Sequence, residues 1–594
     1  PACWQDRAFV VSDDGHLYAL ALADGRLLWK HVASPDHQLV LGNGRLISRW
    51  AARGGPVVFD NTVYYAAGIW PSDGVFVHAL DCQTGDVVWS QTDLGTLEMD
   101  QPHGGARAES GIAPQGYLLA DEKHLYIPTG RAVPAVLDRR TGKLLYYHLQ
   151  RNRDIGGSWT LLADQFVLNG GAAFRRSDGS VAGRVGLPPM AARGNDLLRA
   201  TGRGIQVDRW ADGQRRDRKG KLVPFRGLQT DRVIELDSPV TALLVADRDV
   251  VCGFAGKISA IDFKAQANEW WHAPIEGTVL GLAYGDGVLV ATTDRGTVYA
   301  FAGKPVATPS SPAALSRRSE PSQDAQSPTP PIQRGYVLAE DAADTALLRE
   351  LANSSGLHVV AFAHSDNQRK RVRRELQEAG VYGTRIAVLP FEKELLDALP
   401  RHFANWIIAG RADHGETALT DEQIDRLLHP TRGIVTGTLT RSTLESPRLD
   451  PDTGSWTHQW ADSGNTVCSN DQRVRGQLHV TWFGSFDFAT PNRHGQGPAP
   501  LCHRGYLVVG GVDGIACVDA YNGTLLWTYA IPGFLADYDG IHHDVGVGET
   551  GGRFCMSDDA VFVAWEDECL KLDLKTGKCV ARFRTPAASD AGNR

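Results

Sequence analysis

The chain has 594 residues, 42% hydrophobic and 22% charged, with a formal net charge of −8 and an isoelectric point of about 6.2. So mildly acidic a surface gives no electrostatic grip on nucleic acid or an anionic membrane. No run approaches the roughly 18 apolar residues that span a bilayer, so no transmembrane segment is expected. The chain begins at Pro1 without an initiator Met, and any targeting signal is expected upstream of it. Its 9 cysteines are scattered, with no CxxC and no adjacent pair, which excludes a cysteine zinc ribbon and a c-type haem. The odd count leaves at least one thiol unpaired. Cys555, Cys569 and Cys579 lie close in sequence, which suits either one disulfide or buried thiols.

In chain order, one pattern recurs. "DGHLYALALADGRLLWKH" (14–31) returns as "GVFVHALDCQTGDVVWS" (74–90), "VPAVLDRRTGKLLYYH" (133–148) and "GKISAIDFKAQANEWWH" (256–272). It returns again as "DGIACVDAYNGTLLWTY" (513–529) and "ECLKLDLKTGKCVARF" (568–583). Each copy is an alternating apolar strand, an Asp, a Thr-Gly, Asn-Gly or Asp-Gly turn, and a second strand that usually ends in an aromatic residue. Alternation marks half-buried strands, and the turn glycine supplies the positive φ of a tight hairpin. The closing Trp29, Trp89, Trp271 and Trp527 are expected to wedge between neighbouring sheets. Further strand pairs precede many copies, as in "PVVFDNTVYYAAG" (56–68), which makes four strands per unit, one propeller blade.

These repeats resemble the PQQ-like (quinoprotein) propeller repeat, shared by quinoprotein alcohol dehydrogenases and the eight-bladed outer-membrane assembly lipoprotein. The fuller text resembles a group from planctomycetes and their relatives, through "RLISRWAARGGPVV" (45–58), "AAGIWPSDGVFVHALD" (66–81), "PTGRAVPAVLDRRTGK" (128–143) and "SWTHQWADSGNTVCS" (455–469). The resemblance implies a mainly β fold, an eight-bladed PQQ-like β-propeller, in a periplasmic or secreted setting. Blades one to six are expected in 1–303 and blades seven and eight, with closure, in 446–594.

Between them the composition changes. Residues 304–334 are rich in Pro and Ser and read as a linker. Residues 335–445 read as alternating strands and helices, and resemble the Rossmann-type core of an S-adenosylmethionine methyltransferase inserted into the propeller. In that family the first loop needs glycine so that backbone meets cofactor. Here it is "AEDAADT" (339–345), without glycine, and only His364 and Asp366 stand where a ribose-holding acid belongs. The insertion is therefore read as inactive, a structural piece or a dock for a protein partner.

Chemistry is expected in the loops, which a propeller gathers at its central mouth. The candidate catalytic residues are His103, His458, His494, Arg493, Tyr538 and His542. The candidate substrate-binding residues are Arg49, Arg53, Trp70, Arg107, Arg131, Trp456, Trp460, Asn465 and Asn492. Arginine and Asn hold carboxylate or sulfate, Trp faces stack on sugar rings, and His beside Tyr or Arg moves a proton. The set suits a lyase or hydrolase acting on acidic carbohydrate. Two or three His with an Asp would instead hold a divalent metal, Ca²⁺, Mn²⁺ or Zn²⁺, with His543 and Asp544 as the candidate ligands. Two other readings stand beside the enzyme: a non-catalytic scaffold or binding propeller, and a PQQ-dependent alcohol or sugar dehydrogenase. The last is counted against because the family's adjacent cysteines and calcium-binding set are missing.

Overall fold

The recurring turn explains the strands on either side of it. In a computed structural model, the Asp81 carboxylate accepts the backbone N–H groups of Gln83 and Thr84, both at 2.8 Å. Asp138 accepts Thr141 N at 2.9 Å and its hydroxyl at 2.7 Å, and Asp573 does the same with Thr576 at 2.8 and 2.6 Å. The aspartate thus satisfies the turn locally. The turn glycines Gly85, Gly142 and Gly577 take φ of 80°, 72° and 69°. The missing side chain matters as much as the backbone angle. A Cβ on Gly85 would lie 2.8 Å from the Trp29 ring, and one on Gly142 or Gly577 would lie 2.5 Å from Trp89 or Trp527. The closing Trp of one sheet therefore lies against the turn glycine of the next. Trp89 Nε1 donates to Arg139 O at 3.0 Å and Trp527 Nε1 to Leu574 O at 2.8 Å. Trp482, not marked in the repeats, does the same to Gly523, donating to Ala520 O at 2.8 Å.

The structure describes residues 1–303 and 330–584, apart from 102–104, 131, 150–156, 203, 217–219, 247–248, 263–267, 354–355, 411–416, 438–448, 450, 477, 486–487, 492–497 and 537–552. The fold is mainly β, in two units: residues 1–35 with 50–313, and residues 36–49 with 314–594.

The first unit is a succession of antiparallel sheets. Four-stranded sheets end in the strands Leu27–Val32, Val87–Gln91, Leu144–Tyr146, Val181–Arg184 and Leu222–Glu235, and a six-stranded sheet ends in Val298–Ala302. Apolar side chains such as Phe9, Tyr64, Tyr65, Leu80 and Tyr126 fill the space between sheets.

The second unit holds two antiparallel sheets, one ending in Leu525–Ala530 and one in Cys579–Arg584. Residues 36–49, expected among the first blades, belong to this unit: the hairpin of Leu39–Gly42 and Arg45–Ser48 receives Trp482–Phe483 as a parallel third strand. The unit also contains a parallel sheet of β1 (Arg334–Ala339), β2 (Gly356–Ala363), β3 (Ile386–Pro390), β4 (Trp406–Ala409) and β5 (Ile434–Gly437), in the order β3-β2-β1-β4-β5. Helices α1 (Thr345–Asn353), α2 (Asp366–Glu378), α3 (Lys393–Ala398) and α4 (Asp421–Leu427) fill the crossovers. Ser365 caps α2, and Thr420 with Gln423 forms a capping box on α4. Leu348, Leu351, Val372 and Leu376 bury the inner faces of α1 and α2 on the sheet.

A buried polar cluster fastens the parallel sheet to its antiparallel neighbour. Asp519 is fully buried and accepts Arg432 Nη2 at 2.8 Å, Asn405 Nδ2 at 3.1 Å and Tyr521 N at 2.9 Å. His429 Nδ1 accepts the N–H groups of Thr431 and Arg432, so the proton sits on Nε2 and is donated to Asp519 at 3.2 Å. Asn522 Nδ2 donates to Phe403 O and Asn405 Oδ1, both at 2.8 Å. Burial opposes the Asp519 charge, but His429 and Arg432 hold its carboxyl down at about 2. All 9 cysteines are free thiols, Cys555, Cys569 and Cys579 included.

Candidate functional site

Three backbone contacts in the second unit bring distant chain segments together. Trp456 N donates to Cys502 O at 2.7 Å and Cys502 N to Trp456 O at 2.8 Å. Met556 N donates to Thr457 O at 2.9 Å, and Ser455 N to Ser469 O at 3.1 Å. Gly454 permits the last contact, because a Cβ there would lie 2.6 Å from Asp471 N. Ser455, His503 and Asp558 each sit one or two residues from these anchors and meet. The Ser455 hydroxyl lies 2.8 Å from His503 Nδ1, and His503 Nε2 lies 2.7 Å from Asp558 Oδ1. With the ring proton on Nε2, serine donates to Nδ1 and Nε2–H donates to the carboxylate. The His503 side chain is 15% exposed and that of Asp558 69%.

These three residues line a cavity of about 960 Å³ with Arg432, Arg504, Tyr506 and Lys575. Arg504 Nη2 is 3.8 Å from Asp558 Oδ2, and the Arg432 guanidinium lies 4.2 Å from the centre of the Tyr506 ring. Burial works against the Arg432 charge, but Asp519 and Tyr506 raise its pKa above the ordinary guanidinium value. Arg432 is paired with buried Asp519 and Arg504 faces Asp558, so the three cations against two carboxylates leave a net charge of one, a modest preference for anions.

The sequence candidates fare differently. His103, Arg131, Asn492, Arg493, His494, Tyr538, His542, His543 and Asp544 lie outside the described residues. In the first unit, Arg53 pairs with Asp13 at 4.0 Å, Arg107 pairs with Glu98 at 3.3 Å, and half-buried Trp70 precedes a single turn at Pro71–Asp73. In the second unit, Arg49 is buried against Gln38, at 2.6 Å, and His479. Trp456 packs on the apolar core and serves as an anchor. His458 takes the Thr457 hydroxyl at 2.9 Å and closes a turn with Ala461, and Trp460 and Asn465 belong to the same loop. The segments that begin at Ser455 and end at His503 do meet, through those two side chains. His503 is visible in "LCHRG" as a polar residue flanking a strand. Asp558 carries no signal in "MSDDA" that separates it from Asp559. Among the described residues, no group of three His, Cys, Asp or Glu is placed to hold a metal ion.

Ligands of a parallel sheet bind where the strand order reverses, here between the carboxyl ends of β1 and β4. Glu340, fully buried just past β1, accepts Gly410 N at 2.7 Å, Thr417 Oγ1 at 2.6 Å and Ala418 N. His364, stacked 4.4 Å from Phe391, donates to Glu340 O at 3.0 Å, and Asp366 pairs with Arg369 at 2.6 Å in the first turn of α2. Among the described residues, these groups at the carboxyl ends of β1 and β4 are engaged by the chain itself.

A family model described as outer membrane protein assembly factor BamB matches residues 1–182 and 41–304, together just over half of the chain. Among solved structures, the chain is similar to BamB from Moraxella catarrhalis at 14% identity and a TM-score of 0.32, over 50% of this chain and 80% of that one. It is similar to a europium-containing methanol dehydrogenase at 14% identity and 0.32, over 50% and 71%. It is also similar to the quinohemoprotein alcohol dehydrogenase of Comamonas testosteroni at 16% identity and 0.31, over 49% and 62%. No curated protein sequence matches it. Among the described residues, no helix is long and apolar enough to cross a membrane.

Proposed function

The chain belongs to the family described as outer membrane protein assembly factor BamB, and from that premise we propose that it is a periplasmic scaffold whose outer strands dock extended segments of partner polypeptides. One observation carries the reading. The last strand of each sheet of four or more strands in the first unit is an edge and bears exposed apolar side chains. These are Leu27 and Val32, Val87 and Val88, Leu145, Val181, Leu222 and Val233, and Val298, with Val88 56% and Val298 66% exposed. A row of apolar edges is a template for strand addition, and proteins without such a partner usually blunt it with charge. A β-barrel polypeptide on its way to a membrane supplies the matching alternation of side chains. In this reading the repeats form an eight-bladed propeller and the parallel sheet is a Rossmann-type insertion serving as a spacer or dock.

The test uses the full chain and a fluorescent, urea-unfolded outer-membrane β-barrel polypeptide. The wild type is expected to bind it, and the pair Val88→Lys and Val298→Lys to weaken binding about tenfold or more. Absence of binding by the wild type would end the reading. A lyase or hydrolase acting on acidic carbohydrate is the second reading, favoured by the cationic cavity that holds Ser455 and His503.

A further inference from the structure

The geometry points to a second activity in this chain: Ser455, His503 and Asp558 form a hydrolytic site for acyl esters carried on an anionic small molecule. Covalent hydrolysis by serine needs three things in contact: a hydroxyl, a base that takes its proton, and a group that fixes the base. All three are present at hydrogen-bond distance, 2.8 Å from Ser455 Oγ to His503 Nδ1 and 2.7 Å from His503 Nε2 to Asp558 Oδ1. The trio opens into a cavity of about 960 Å³, room for a small-molecule substrate. Packing sheets together requires no such arrangement. The backbone contacts Trp456–Cys502 and Thr457–Met556 already join the segments.

The chemistry balances with water as the second reactant. Ser455 Oγ attacks the ester carbonyl carbon while its proton passes to His503 Nδ1, and the carbonyl π pair moves onto oxygen. When that oxygen re-forms the double bond, the C–O bond to the alcohol breaks, and the alcohol leaves with the proton from His503. A water, deprotonated by His503, then attacks the acyl-serine. The acid is released and the proton returns to Ser455. The guanidinium of Arg504 and the ammonium of Lys575 line the same cavity, where they attract an anionic substrate and offset the charge that develops on oxygen, while Arg432 beside them is paired with Asp519. Asp558 is a positioning residue. Its exposure limits it to orienting the ring and favouring the charged imidazole, not to supplying a buried charge.

The experiment starts with the wild-type full chain and a fluorophosphonate probe, with the modified residue identified by mass spectrometry. Labelling at Ser455 is expected. Labelling elsewhere only, or none, overturns the proposal, and this arm needs no variant to fold. Turnover is then measured on mono-4-nitrophenyl succinate and on its uncharged counterpart 4-nitrophenyl butyrate. The anionic ester is expected to be preferred about tenfold in kcat/KM. Ser455→Ala and His503→Gln are each expected to lose about 10³-fold, with circular dichroism and melting unchanged. Asp558→Glu should recover activity that Asp558→Asn does not, which a purely structural carboxylate would not produce. Hydrolysis undiminished in Ser455→Ala overturns the assignment.

Discussion

Asp519 occupies the repeat position that elsewhere does modest work. Asp81, Asp138 and Asp573 cap their own turns within three residues. In "DAYNG" the Thr of the turn is replaced by Asn522, and the Asp519 carboxylate, while still accepting Tyr521 N, faces His429, Arg432 and Asn405 of the parallel-sheet region. The repeat aspartate is legible in the sequence. Its second role is not, because its partners lie 87 to 114 residues away and nothing local marks them. Asp519→Ala leaves two basic side chains facing a buried gap and should destabilise the second unit by about 3–5 kcal/mol, read from urea unfolding. The pH dependence has a definite sign. The folded carboxyl titrates at about 2, below its unfolded range near 4. The stabilisation of about 2 kcal/mol is therefore complete above pH 4 and is lost as pH falls toward 2. Between pH 4 and 2, the wild-type urea midpoint should fall more steeply than that of Asp519→Asn. Equal slopes would mean that the carboxylate is not the group responsible.

Sheets, at the next scale, are joined by a Trp seated on a glycine. Both partners of that contact are visible in the repeat, because each is fixed by local pattern: the Trp by closing a strand, the Gly by its positive φ. Trp482 escapes the pattern. Its strand is two residues long and pairs in parallel with Leu39–Gly42, more than 400 positions earlier, a pairing no sequence period announces. The same limit hid the meeting of Ser455, His503 and Asp558, which depends on bonds across 48 and 55 positions, although His503 itself stands out in its loop. The energetics of the seat can be separated from those of the turn. Gly25 and Gly142 share a φ of 72°, but a Cβ on Gly25 would meet nothing within 4 Å, while one on Gly142 would meet Trp89 at 2.5 Å. Gly25→Ala should cost only backbone strain, about 1–2 kcal/mol. Gly142→Ala should cost about 1–3 kcal/mol more, because the indole must move. Equal losses in thermal unfolding would show that the ring yields freely and that the seat holds nothing together.

For the whole molecule, the two proposed functions rest on different parts of the chain and fail independently. Partner docking rests on Val88 and Val298 in the first unit, both exposed and distant in sequence from the cavity. Ester hydrolysis rests on Ser455 and His503 in the second. A surface Val→Lys change away from any cap or core contact alters stability by about 0.5 kcal/mol or less, so lost binding cannot be ascribed to unfolding. Ser455→Ala removes one hydroxyl from a half-buried loop held by backbone bonds, so its fold should persist as well. The expected result is a double dissociation. Val88→Lys with Val298→Lys weakens capture of the unfolded β-barrel polypeptide and leaves fluorophosphonate labelling at the wild-type rate. Ser455→Ala abolishes labelling and leaves capture at the wild-type affinity. If Ser455→Ala also weakens capture, the cavity belongs to the docking surface and hydrolysis is not a separate activity. If the valine pair also slows labelling, the two substitutions have disturbed the second unit and the two functions are not separable by these variants. Either cross-effect would be read in one titration and one labelling time course on the same three proteins.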